Sequence, residues 1–296
     1  MSSEVFGKEF ILKFESHLNL LESKRKLTLS WSITTIIYCI LLFFVIKYFN
    51  EFLGYVTFAI IPCIGFGIAW AFWSVQVWRK EFKQAIISFI TKAIDPNFIL
   101  KDRLNFDVGE IKDSFLIPEF DRYDIVNCKL CMVLRNQNNI AISEIKILRK
   151  SGRSHKQIFS GFLISASYPV RFTGKTFAYH KRLYRQNNTS ELQKVILESP
   201  RLMEKFDFWT TNQVEARMCF QTDIMANLLD LCEKYKTEFD LSFIDNRIYI
   251  AIHSNKALFE PNIFRTIQNP KIYQEFYDEV TTLNEIITKF KLHQNL

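Results

Sequence analysis

The sequence predicts an α+β membrane protein, in which a two-helix transmembrane hairpin with amphipathic flanking helices precedes a cytoplasmic domain with a mostly antiparallel sheet and C-terminal helices. Two charge-free apolar blocks, Leu27–Ile46 and Phe52–Trp78, lie close to the N-terminus. The rest of the chain shows strand patterns first and helix patterns later, without the β-α alternation that indicates a parallel sheet. The 296 residues, of which 48% are hydrophobic, are enough for an anchor and one soluble domain.

The predicted domains follow from these changes in pattern. They are an N-terminal amphipathic helix at 1–26, the transmembrane hairpin at 27–78 (spans 27–46 and 52–78), a linker helix at 79–99 and a cytoplasmic α+β domain at 100–296.

The first block is long enough to cross a bilayer. About 20 helical residues rise about 30 Å, which is the thickness of the hydrocarbon core. Only Lys47–Glu51 separates the two blocks, and such a short connection forces an antiparallel hairpin. Lys24, Arg25 and Lys26 precede the first span and further basic residues follow the second, so the positive-inside rule predicts that both termini are cytoplasmic.

Small residues in the second span predict close helix packing. Gly65 and Ala69 form one small-x-x-x-small pair, and Gly67 and Ala71 form another. These pairs favour packing against the first span of the same chain, and a homo-oligomer seam is the alternative.

The segments next to the spans also have helical periodicity. Apolar residues recur at helical spacing through residues 4–23 and again through 79–94, which ends before Pro96. We expect these segments to continue the hairpin and to pack on each other, with a position on the bilayer surface as the alternative.

Beyond about residue 100 the pattern changes to strands and turns. Two strands flank the turn at 136–139, and a later hairpin surrounds Asp245-Asn246. The predicted strands are 124–135, 140–150, 157–168, 175–181, 195–197, 240–244 and 247–252; the predicted helices are 222–235 and one that begins at Pro270.

Several stretches of this domain resemble DUF3137, a family of bacterial membrane proteins of unknown function. They are Phe120-Asp-Arg-Tyr-Asp124, Phe159-Ser-Gly-Phe-Leu163, Phe172-Thr-Gly-Lys-Thr176, Val195-Ile-Leu-Glu-Ser-Pro200, Asn212-Gln-Val-Glu-Ala-Arg217, Ser242-Phe-Ile-Asp-Asn-Arg-Ile-Tyr-Ile-Ala-Ile252 and Leu258-Phe-Glu-Pro261. The resemblance implies a bacterial inner membrane with a cytoplasmic domain, and it implies no reaction. Ser167-Tyr-Pro-Val170 stands where the family carries an Asp-Phe-Asn-Lys-like run.

No motif for nucleotide binding, zinc hydrolysis or serine catalysis is present, so neither a metal nor a cofactor is predicted. Cys128 and Cys131 form a C-x-x-C inside a predicted strand, where positions three apart face opposite sides. We therefore expect reduced thiols there.

Three residues are candidates for an ion pair, a backbone cap or a catalytic carboxylate. Glu215 and Arg217 are two positions apart, and Glu260 precedes Pro261. The structural alternative is favoured, and a catalytic glutamate stays the second hypothesis.

Two groups of basic residues lie near predicted strand ends, and they suit anionic lipid headgroups, a protein partner or plain solvation. The first comprises Lys146, Arg149, Lys150, Arg153 and Lys156; the second comprises Lys175, Lys181, Arg182 and Arg185. Nucleic acid is not predicted, since aromatic residues do not interleave with these groups as in an RNA-binding motif.

The leading functional hypothesis is a non-enzymatic, membrane-anchored binding or scaffold module for a protein partner or anionic lipid headgroups. The alternatives are a membrane-tethered enzyme without a recognisable motif and a secreted bacterial effector that inserts into host membranes.

Overall fold

The computed structural model describes residues 9–49, 56–94, 97–101, 108–117, 124–134, 140–152, 154–168, 170–182, 191–235, 238–254 and 261–290. The predicted α+β class is confirmed, with long apolar helices first, then an antiparallel sheet and a C-terminal helix. Contacts between Cα atoms divide the chain into two units. The first contains 1–91 and 258–280, and the second contains 92–257 and 281–296.

Two long helices dominate the first unit, α1 (Glu15–Phe49) and α2 (Val56–Ile94). Each combines a flanking segment and a predicted span in one continuous helix. Both are long and apolar enough to cross a membrane, and only 11% of each apolar window is buried. A core helix of a soluble protein would be mostly buried, so this exposed apolar surface suits lipid.

The two helices run antiparallel and pack along their length. Phe14 contacts Phe89 with 4.2 Å between ring centroids, and the Trp78 indole N–H donates to the Leu21 carbonyl at 3.4 Å. The prediction that the flanking segments pack on each other is therefore correct.

Residues 261–280 complete the core of this unit. Tyr273 stacks on Phe10 at 4.9 Å, and Phe276 meets Phe82 edge-on at 6.3 Å. The helix that carries them, α7 (Pro270–Lys289), begins at the predicted Pro270, and the Asn269 side chain caps it by accepting the Lys271 N–H at 3.1 Å. The domain boundary proposed at residue 100 stays a prediction. Residues 258–280, which that proposal assigned to the C-terminal domain, belong instead to the same compact unit as the long helices.

The second unit is built on a nine-stranded sheet with the order β1-β2-β3-β4-β9-β8-β5-β7-β6, in which every described pairing is antiparallel. Its strands are β1 (Phe98–Lys101), β2 (Ile125–Leu134), β3 (Ile140–Ser151), β4 (Ser154–Ser167), β5 (Lys175–His180), β6 (Gln193–Val195), β7 (Phe206–Thr210), β8 (Phe239–Ile244) and β9 (Arg247–His253). Its helices are α3 (Val108–Asp113), α4 (Pro200–Lys205), α5 (Gln213–Cys219) and α6 (Thr222–Tyr235), and the last turns of α7 also belong to it.

Both faces of the sheet bury aromatic and aliphatic side chains. On one face, Ile145, Phe177 and Tyr249 form a core with Ile111 and Leu116 from α3 and the turn after it. On the other, Phe220 at the end of α5 meets Phe208 at 4.7 Å and Phe243 at 5.6 Å. Strands buried on both faces explain why their sequences read as apolar runs.

A bulge in β2 changes the predicted environment of two cysteines. The register shifts between Cys128 and Leu130, and the structure places the sulfur atoms of Cys128 and Cys131 next to each other. The expectation of two thiols on opposite faces was wrong, because an extra residue in a bulge breaks the two-residue alternation.

Candidate functional site

The end of the β3–β4 hairpin extends beyond its neighbouring strands. Pairing of β3 with β2 stops at Leu148, and pairing of β4 with β9 starts at Gly161. Between these limits no further strand of the described residues pairs with the ribbon, in which Lys150 lies opposite His155. Residues 154–157 are all exposed. We call residues 149–157 the basic hairpin.

A glycine makes the tight turn of the basic hairpin possible. Gly152 has φ +61°, in the left-handed region that an L side chain disfavours. The Ser154 hydroxyl donates to the Ser151 carbonyl at 3.1 Å across the turn. The turn therefore holds the basic residues of the two strands side by side.

The described residues of the first predicted basic group differ in exposure and in whether an acidic residue pairs with them. Arg149 donates two hydrogen bonds to Asp124, at 3.1 and 2.9 Å, so its charge is matched within the fold. Lys146 is half-buried, whereas Lys150 and Lys156 are exposed. Arg153 lies outside the described residues. Among the described members of this group, Lys150 and Lys156 are the exposed cations, and the exposed His155 precedes Lys156 on β4.

The second predicted basic group is not brought together. Lys175 begins β5 and places its ammonium 4.3 Å from the centroid of the Phe115 ring. Lys181 and Arg182 follow the opposite end of this six-residue strand, about 17 Å away at the usual rise per residue. Arg185 lies outside the described residues. The three described members therefore lie in two separate places, Lys175 at the start of β5 and Lys181 with Arg182 after its end.

At the far end of β5 the basic side chains contact acceptors of the same unit. The Lys181 ammonium donates to the Met203 carbonyl at 2.7 Å and lies 3.9 Å from Asp207. The Arg182 guanidinium lies 3.8 Å from Glu238. Both cations are therefore balanced, in part, by neighbouring carboxylates.

Glu215 caps a loop of the fold. Its carboxylate accepts the Thr173 N–H at 2.9 Å, the Thr173 hydroxyl at 2.6 Å and the Gly174 N–H at 2.8 Å. Desolvation raises the pKa of this carboxyl, but the hydrogen bonds outweigh it and leave the pKa below its usual value. A Cβ on Gly174 would lie 2.8 Å from both Thr211 Oγ1 and Asn212 Cβ, so the loop fits closely around this carboxylate.

The other two candidates lie elsewhere. Arg217 is exposed on α5 beside Val214 and Met218, which are 71% and 54% exposed. Glu260 lies outside the described residues. The described partners of the Glu215 carboxylate are therefore Thr173 and Gly174 of the loop.

The two small-residue pairs in α2 face different surroundings. A Cβ on Gly67 would lie 3.1 Å from Cys39 Sγ, and Ala71 is buried, so this pair packs on α1. A Cβ on Gly65 would have no atom within 4 Å, and Ala69 is exposed.

A buried acid–imidazole pair was missed by the sequence reasoning. Asp240 on β8 has no accessible surface; it accepts the His180 backbone N–H at 2.8 Å and lies 3.0 Å from His253 Nε2. An aspartate within an apolar strand run was its only sequence signal. Among the residues that the structure describes, no three His, Cys, Asp or Glu side chains are placed to hold a metal ion.

Comparison with known proteins agrees with the resemblance found in the sequence. Residues 157–292 match DUF3137, described as a protein of unknown function. This match covers the chain from β4 to the end of α7 and confirms the predicted family resemblance.

Among solved structures, the chain is similar to the mycobacterial trehalose monomycolate transport factor A, TtfA, at 9% identity. The alignment covers 69% of this chain and 94% of that one with a TM-score of 0.35, a level that supports no inference about function. The search of curated proteins gives no match.

Proposed function

The chain has two helices of membrane-spanning length, followed in sequence by a region that matches DUF3137. From this we propose that the chain is an integral membrane protein with a non-enzymatic binding module at the cytoplasmic face. In this proposal the predicted spans 27–46 and 52–78 cross a bacterial inner membrane, the first within α1 and the second largely within α2. Both termini are cytoplasmic, because the basic residues flank the spans on that side. The sheet unit contacts anionic lipid headgroups through the basic hairpin.

The exposed basic hairpin is the observation that carries this proposal. Its end has no neighbouring strand among the described residues, and Lys150 and Lys156 project from it into solvent. Each basic residue near an anionic surface contributes about 1 kcal/mol, so the two lysines supply about 2 kcal/mol. That energy orients a unit already tethered to the membrane, although it would not recruit a free protein tightly.

Hydrogen exchange of the full-length chain in nanodiscs tests the proposal. Residues 149–157 should exchange more slowly in discs containing phosphatidylglycerol than in phosphatidylcholine discs, and high salt should remove the difference. The double variant Lys150→Gln/Lys156→Gln should lose the protection.

A matched control changes the same number of charges elsewhere. Lys112→Gln/Lys194→Gln removes two exposed lysines of the same unit and should leave the protection intact. Equal exchange of residues 149–157 on neutral and anionic discs would refute headgroup contact.

A further inference from the structure

A cavity of about 420 Å³ opens at the end of β5, where Lys181 and Arg182 of the second basic group lie. Three of its lining residues are cations, Lys181, Arg182 and Lys205, and two are acids, Glu204 and Glu238. The charged side chains therefore sum to one positive charge. That balance favours a small anion over a cation or a large polyanion.

Lys205 is the cation that the fold leaves available. This residue ends α4 and is half-buried. No described carboxylate oxygen lies within 4.0 Å of its ammonium nitrogen, the distance that defines an ion pair. By contrast, Lys181 and Arg182 lie near Asp207 and Glu238. Lys205 is therefore the lysine of this cavity whose charge no described carboxylate matches, which makes it the natural partner of an anionic ligand.

His180 offers a second donor beside Lys205. The residue is only 9% exposed, and its Nδ1 accepts the Arg182 backbone N–H at 3.4 Å. Burial lowers the pKa of this imidazole, and the Lys205 charge acts in the same direction, while Glu238 and Asp240 act against it. The ring is therefore neutral at neutral pH, and because Nδ1 accepts, the proton resides on Nε2.

The one thiol among the described lining residues is poorly reactive at neutral pH. The Cys232 thiol lines the cavity, and burial raises the pKa of that thiol to about 11, so the reactive thiolate is scarce at neutral pH. The backbone N–H of His180 is fixed by the fully buried Asp240 at 2.8 Å. Binding through preset donors thus suits this cavity better than covalent chemistry.

We propose that the cavity binds a phosphate monoester, with the Lys205 ammonium as its charge partner and His180 Nε2–H as a hydrogen-bond donor. The side of the Arg182 guanidinium that faces away from Glu238 is a third donor. Three donors on separate residues match an anion with three terminal oxygens better than a carboxylate with two. The monoester is either a soluble metabolite or the headgroup of a lipid such as phosphatidic acid, which carries the same group.

The test uses the full-length chain, labelled with ¹⁵N-histidine, in phosphatidylcholine nanodiscs. The Nε2 resonance of His180 should shift saturably with sn-glycerol 3-phosphate if the ligand is soluble. It should shift in discs containing phosphatidic acid if the ligand is a lipid headgroup.

Variants of Lys205 decide whether the shift reports this cavity. Lys205→Gln should weaken binding about tenfold or more, as expected for a lost charged hydrogen bond. Lys205→Arg should keep the affinity within about threefold, since the charge stays. Lys112→Gln, on another part of the same unit, should bind as the wild type does.

Two outcomes would overturn the proposal. One is the absence of a His180 shift with both glycerol phosphate and phosphatidic acid. The other is equal affinity of the wild type and a folded Lys205→Gln variant. Neither outcome depends on the basic hairpin, so this test and the headgroup test above fail independently.

Discussion

Glu22 on α1 holds the segment at 261–267 against the long helices, and its removal should loosen that segment selectively. The side chain is 4% exposed, and it accepts hydrogen bonds from Arg25 Nη2 at 2.7 Å and from the Ile267 N–H at 3.2 Å. Arg25, 7% exposed, in turn donates to the Ile263 carbonyl at 2.5 Å. One buried ion pair therefore links α1 to two backbone groups of the later segment.

The expected magnitude follows from burial. Removing one partner of a buried ion pair leaves the other charge uncompensated and costs about 3–5 kcal/mol. Glu22→Ala would leave the Arg25 guanidinium and the Ile267 N–H without this acceptor. A loss of about 3 kcal/mol corresponds to a roughly hundredfold rise in the local opening constant.

Native-state hydrogen exchange measures this opening directly. In Glu22→Ala, the Ile267 amide should exchange roughly a hundredfold faster, while amides of the β8–β9 hairpin in the second unit should keep their rates. The double variant Glu22→Leu/Arg25→Met replaces the pair with apolar side chains of similar size. It should recover much of the protection, because no buried charge is then left unpaired.

Two results would refute this reasoning. Unchanged exchange at Ile267 in Glu22→Ala would mean that the ion pair does not hold the segment. A double variant as labile as the single one would mean that the loss arises from packing and not from an unpaired charge.

Two other predictions concern helix packing and pH. Gly67→Val should lower the thermal stability of the helix pair because its side chain would meet Cys39, whereas Gly65→Val should be tolerated; equal losses in differential scanning fluorimetry would contradict this asymmetry. The pKa of Glu215 is lowered in the folded state, so its stabilisation is present above the usual carboxyl pKa of 4.5 and is lost as the pH falls through the folded value. The melting temperature of the wild type should therefore exceed that of Glu215→Gln at neutral pH and converge with it in acid, and a constant gap would argue against the cap formed with Thr173.

Local patterns predicted the elements that have strong local signals. Apolar periodicity predicted α1, α2, α6 and α7, whereas α3, α4 and α5, of only six or seven residues, were missed. The turn at Asp245-Asn246 predicted the β8–β9 hairpin, and each predicted strand is one residue shorter than the observed one. Strand β7 was missed, because Phe206–Thr210 is short and directly follows α4. The two flanking helices were predicted separately, since charges interrupt the apolar blocks without interrupting the helices.

Contacts between residues far apart in the chain could not be predicted from local sequence patterns. Contacts of Glu22 with Ile267 join residues 245 positions apart, and nothing in either local sequence identifies the partner. The same limit applies to the basic groups, where sequence proximity suggested clusters. The structure instead pairs Arg149 with Asp124 and leaves Lys205, which was not singled out, beside the cavity.

The insertion of β8–β9 between β4 and β5 has a consequence for synthesis on the ribosome. The edge of β4 pairs with β9, whose residues emerge only after everything from β5 to α6 has been made. At about 5–20 residues per second, that edge stays open for several seconds. During this interval a long apolar strand exposes unpaired backbone groups, the feature that most invites aggregation. Nascent chains truncated before residue 239 should therefore associate with chaperones more strongly than chains truncated after residue 253, which contain the strand that closes the gap.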